Sequence, residues 1–279
     1  MKRITPLLIV ALCFSAMAFA QTKSSLNLKK GQKYSVESKV ETTGSTEVPG
    51  QTIDTKVNIT TNYNIEVKDK TGNYHLINTI SGMKMNMSMM GQEMNFDSDN
   101  QTDMSSQTGE ALKGYIKQAK DVEMDDQGNI VLKASDDSAS TGNNPLASQL
   151  KSLESTGYGA EFAFQSLPKD LKVGTKWSDK TSAAGISKST DFVVKEINGN
   201  IATVALSGTL TTEMSAEQQG MEVKTKISGT FTGEEKVDIT SGVILSNTSV
   251  SDQKGTVEAM GQEMPTTSKA TTTTTVKVL

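Results

Sequence analysis

Met83, Met85, Met87 and Met89 fall at strict period two, and residues 81 to 99 hold six of the fourteen methionines in the chain. In a strand those four side chains share one face, while Lys84, Asn86 and Ser88 take the other. Thioethers are soft donors that can hold Cu(I), but such a site needs three or four donors on one point. Same-face neighbours in a strand stand about 7 Å apart, so the row alone spreads its sulfurs unless other strands bring more in. No metal ligand is assigned on this ground, and a Met-rich Cu(I)-binding protein remains an alternative reading. A flexible, polarisable side chain also suits the wall of a groove for an apolar guest, whereas a core built for one packing favours Leu, Ile and Val. The candidate ligand-binding residues are Met83, Met85, Met87 and Met89, with Leu112, Tyr115 and Ile116 from a covering helix.

Other chemistry is thin. The sole histidine, His75, lies in a strand-like stretch with no second histidine and no serine elbow to build a triad or a zinc site. Asp121, Glu123, Asp125 and Asp126 read as the rim of a hairpin, because the run DDQGN lacks the oxygen ligands and closing Glu of a calcium loop. Glycine-rich phosphate motifs are missing. The expectation is a non-enzymatic protein with no cofactor. Asp137-Ser138-Ala139 resembles a short acceptor motif for O-glycans.

The compartment is read from the first residues. Lys2 and Arg3 precede an apolar run from Leu7 to Ala18, which is too short to span a bilayer, and Ala18-Phe19-Ala20 supplies a small-x-small cleavage site. Residues 1–20 are thus expected to be a signal peptide, with export to the periplasm, the cell surface or the medium. Cys13, the only cysteine, would leave with it, so the mature chain has no disulfide or thiolate. The formal charge is −4, or about −6 without Lys2 and Arg3, and aromatics make up 5%. Without a basic patch, nucleic acid is excluded as a partner. No later stretch is long and apolar enough for a transmembrane helix.

The elements that must carry these residues are mostly strands. Alternation runs through residues 34–40, 57–59 and 63–67, punctuated by Pro49-Gly50, Thr71-Gly72-Asn73 and Gln127-Gly128-Asn129. Asn198-Gly199 suits a type I′ hairpin turn, and residues 270–279 read as a last strand. "LKKGQKYS" at 28–35 matches "LKVGTKWS" at 171–178, with Tyr34 and Trp177 each anchoring the start of a half. "IEVKDKTGNYHLINTISGM" at 65–83 resembles "FVVKEINGNIATVALSGTL" at 192–210, and "MGQEM" recurs at 90–94 and 260–264. Three matches in order argue for two related halves. Between them the period becomes helical at Ala111, Leu112, Tyr115, Ile116 and Ala119. A hairpin at 122–133 follows, then a second helix capped by Asn144-Pro145 with Leu146, Leu150 and Leu153. The expected fold is mainly β: an antiparallel curved sheet or half-barrel with a short helical insert covering one face. One domain would fill 21–279, with halves at 26–100 and 169–279 and the insert at 101–168.

"LNLKKGQKYSV", "LPKDLKVGTKWSD" and the closing stretch from "GTFTGEEKVDITSG" to the end resemble a family of exported proteins of Bacteroidota-type bacteria without assigned activity. No site residue is carried over from it. A looser similarity is to the periplasmic lipoprotein-carrier half-barrel, which implies an apolar cavity for acyl chains plugged by helices. The length and the duplication depart from that fold, and no carrier signature is present. These expectations converge on a monomeric exported protein that holds a lipid or other hydrophobic molecule. The alternative, besides Cu(I) handling, is an envelope-structural or interaction module with a filled core.

Overall fold

Long alternating segments dominate the sequence, and in the structure, a computed structural model, they become one sheet. Residues 23–131, 157–183, 185–218, 221–259 and 261–279 are described. The strands are β1 (Lys33–Val48), β2 (Gln51–Thr71), β3 (Asn73–Met89), β4 (Gln92–Asp97), β5 (Ala119–Met124), β6 (Ile130–Val131), β7 (Lys176–Ala183), β8 (Ile186–Asn198), β9 (Ile201–Gln218), β10 (Met221–Asp238), β11 (Ile244–Ala259) and β12 (Gln262–Val278). Two short helices, α1 (Gln101–Met104) and α2 (Gln107–Leu112), follow β4. The twelve strands form an open, curved antiparallel sheet in the order β6-β5-β3-β2-β1-β12-β11-β10-β9-β8-β7, with β4 paired to β3. The first and last strands meet in its middle, Tyr34 opposite Val278.

The duplication expected from sequence has a backbone counterpart. Gly31 and Gly174, matched in the two "LKxGxK" stretches, both sit at positive φ (82° and 89°). Gly31 N–H donates to Val67 O and Val67 N–H to Gln32 O, while Gly174 N–H donates to Val194 O and Val194 N–H to Thr175 O. A register shift follows each of these valines, within β2 between Val67 and Asp69 and within β8 between Val194 and Glu196. Tyr34 and Trp177 are each the second residue of their strand and are buried. The halves share an entry turn, a strand and a bulge.

Two apolar clusters lie side by side on one face of the sheet, called here the inner face. One gathers Tyr34, Tyr63, Leu76, Ile80, Phe164 and their neighbours. The other gathers Trp177, Phe192, Leu206, Phe231, Val237 and theirs. The segment 157–168 straps both, giving Tyr158 and Phe164 to the first and Leu167 to the second. Phe164 meets Tyr34 edge to face with centroids 5.2 Å apart.

The helical expectation between the halves is corrected in part. Asn100 and Ser106 cap α1 and α2 through their side chains, but α2 stops at Leu112. Gly114 weakens any continuation, and Ile116 instead bridges Ile80, with Lys117 N–H donating to Ile80 O at 2.8 Å. Ala119, expected on the helix, opens β5. Strand pairing there outcompetes helical periodicity. The turn expected at Asn198-Gly199 falls one residue later: Asn198 pairs with Ile201, and Gly199-Asn200 form the loop. Of these two only Gly199 has positive φ (56°), which fits type II′ and not type I′. The signal peptide, Asp137-Ser138-Ala139 and the second helix lie outside the described residues.

Candidate functional site

The core does not reach the far end of the long strands. In β1 burial is complete at Tyr34, Val36 and Ser38, then the same inner parity continues half-exposed through Val40, Thr42, Gly44 and Thr46. Register carries that surface across the sheet. One row runs Val57, Thr42, Ala270, Ser251, Phe231, Gly208 from β2 to β9. Inner positions within 40–48, 51–59, 206–214, 223–233, 249–259 and 262–272 carry no Asp, Glu, Lys or Arg. The outer parity of the same strands carries Glu41, Lys56, Lys226, Asp252, Lys254 and Lys269 among others. Ordinary solvated faces of antiparallel sheets are charged, as this outer one is. On β1, β2 and β9 to β12 this part of the inner face is uncharged without being sealed, while Lys188 on β8 shares the face at its edge.

Five glycines, Gly44, Gly208, Gly229, Gly233 and Gly255, point to that inner face. A Cβ on any of them would stand within 2.9 Å of a carbonyl oxygen on the adjacent strand. The backbones there approach too closely for a side chain, as at the tight bends that curve a sheet.

The methionine row is aimed by a bulge. Tyr74, Leu76, Asn78 and Ile80 face inward at even numbers, and an irregularity opposite Asn62 and Tyr63 switches the parity so that Met83 pairs with Thr61 and Met85 with Ile59. The row therefore grades from core to solvent. Met83 packs against the first cluster and Met85 is buried beside Phe96. Met87 is half-buried, and Met89 is 47% exposed. Leu112 and Ile116 are fully buried core in the same cluster, and Tyr115 lies partly buried at its edge with the Lys120 ammonium 5.5 Å from its ring centre. The structure thus brings Met83, Met85, Leu112, Tyr115 and Ile116 together, and leaves Met87 and Met89 outside that cluster. His75 faces outward between Asp69 and Glu123.

Glu235 is the buried charge that sequence reasoning missed. Its side chain projects inward beside Asn247, whose Nδ2 donates to Oε2 at 3.3 Å, while Oε1 is buried without a hydrogen-bond partner. Loss of hydration pushes its carboxyl up to about 7, against the opposing pull of Asn247, Lys188 and Gln165. The Gln165 amide nitrogen approaches but forms no hydrogen bond. Glu161, on the strap, is reachable by solvent yet crowded by protein, as a group inside a hollow is, and desolvation lifts it to about 7 as well. Lys188 faces both and lies 4.9 Å from the Phe231 ring centre. Trp177 and Phe192 stack at 4.9 Å nearby, with the Trp177 indole N–H unpartnered. Alternation offered a signal: Phe231, Gly233, Glu235 and Val237 share one parity, which places a carboxylate on the apolar side. Among the described residues no three of His, Cys, Asp and Glu gather as a metal site.

A family of unknown function (DUF6263) matches residues 159–244, from the strap through β10. No curated protein matches the sequence. Among solved structures, lipovitellin, in a structure titled for its lipid–protein interactions, aligns with 91% of this chain at a TM-score of 0.53 and 9% identity. An outer membrane channel from Pseudomonas putida F1 aligns over 91% of this chain and 98% of its own at a TM-score of 0.26 and 8% identity, too low to support any argument. This chain spans 26% of the lipovitellin chain, and what it shares with that part is the fold, a large open antiparallel β-sheet.

Proposed function

We propose that the protein is an exported, non-enzymatic binding protein that holds an acyl chain or other lipid-like molecule against the inner face of its sheet. The observation carrying this reading is the uncharged, half-exposed inner surface beyond the core, set against a charged outer surface on the same strands. An apolar guest lying along β1, β12 and β11 buries no charge of those strands. Each methylene it buries is worth about 0.8 kcal/mol, so ten of them, about 8 kcal/mol, fall in the range of the motional freedom lost on binding. The guest must therefore be long. The fold shared with lipovitellin agrees with this reading. The Met row grades from filled core at Met85 to groove edge at Met87, and the groove itself is centred on β1, β12, β11 and β10.

Titration with a fluorescent fatty acid tests the proposal. Ile227→Asp combined with Ala270→Asp places charge on the half-exposed inner face and should weaken probe binding at least tenfold. Thr232→Asp, on the outer face of β10, should leave it unchanged. Equal binding by all three proteins would overturn the reading.

A further inference from the structure

We propose that the β3–β4 hairpin carries a binding site for one soft monovalent cation, Cu(I) or Ag(I), formed by the thioethers of Met87, Met89 and Met94. A single strand cannot converge its sulfurs, but here a second strand supplies one. Met87 pairs directly with Met94 and Met89 with Gln92, so all three methionines share the inner face of a two-stranded ribbon. Directly opposed Cβ atoms stand about 5 Å apart and diagonal ones about 7 Å, and Met87 and Met89 are separated by about 7 Å along β3. Flexible unbranched side chains at the corners of so small a triangle can bend their sulfurs onto one ion. The register is held by the turn, in which Met90 and Gly91 both adopt positive φ (54° and 75°) as a type I′ hairpin requires.

Access and selectivity follow from the surroundings. Met89 is 47% and Met94 41% exposed, so an ion reaches them without unfolding the core. Val57 and Thr55 flank the trio on β2. Carboxylates and imidazole are turned away: Glu93 pairs with Ser88 on the outer parity, Asp97 is held by Lys84 at 2.9 Å there, and His75 also faces outward. Three neutral sulfur donors without hard ligands favour a soft, singly charged ion over Zn(II) or Ca(II). The second "MGQEM" gives an internal control, since Met264 pairs with Val257 and has no opposing thioether.

The test uses Ag(I), which needs no reductant, on the full chain carrying Cys13→Ser so that the one thiol does not compete. Native mass spectrometry should show one tightly held Ag(I), and three methionine methyl resonances should shift on its addition. Met87→Leu with Met94→Leu should weaken that binding at least tenfold, and Met264→Leu should not change it. No tight Ag(I), no methyl shifts, or equal affinity in the Met87/Met94 double variant would each overturn the site.

Discussion

Glu235→Gln will raise the melting temperature at pH 8 and leave it nearly unchanged at pH 4. In the unfolded chain this carboxyl ionises near 4.5, in the folded chain at about 7. Between those values the folded state keeps a proton that the unfolded state has lost, so stability falls as pH rises and the whole cost is present above 7. The difference corresponds to roughly 3 kcal/mol at most. Glutamine keeps the size and an oxygen for Asn247, and removes the buried charge that faces Lys188, Asp179 and Gln165. Glu161 contributes a pH trend of the same sign to both proteins and cancels in the comparison. Calorimetry at the two pH values should show a gain on the order of 5 °C at pH 8. An equal shift at both values, or a loss at pH 8, would mean that Glu235 is not held as a costly buried carboxylate.

Gly208→Ala is expected to be among the most damaging single-methyl additions in the chain. Its Cβ would lie 1.9 Å from Ser189 O and 2.8 Å from the Phe231 ring. The oxygen belongs to the neighbouring strand and cannot retreat without opening the β8–β9 pairing. Overpacking of this kind costs about 2–4 kcal/mol, read as a lower urea midpoint. Gly114→Ala meets nothing within 4 Å and serves as the control, with no loss. If both variants unfold at the wild-type midpoint, the close strand approach on the inner face is absent.

Sequence pattern carried the strands, the paired halves and the common face of the methionine row, because period-two alternation and glycine turns act locally. It did not carry features set by distant partners. Residues 111–119 have helical spacing, yet Ile116 is captured by Ile80, far away in sequence. The bulge that sends Met83 inward on the same face as Ile80 is visible only in the pairing with β2. The inner face was legible in principle, since every second residue of β1, β10, β11 and β12 beyond the core is uncharged. Its threonines, serines and glycines do not look like a binding surface until register sets them side by side. Met94 could not be placed opposite Met87 without knowing that the turn takes two residues.

Native mass spectrometry of the protein, secreted by an exporting host and purified without detergent, tests the lipid-holding inner face most directly. An adduct of lipid mass on the wild-type protein, missing from the Ile227→Asp/Ala270→Asp variant and present on Thr232→Asp, is the expected result. A bare protein mass that persists after incubation with membrane lipid extract would contradict it.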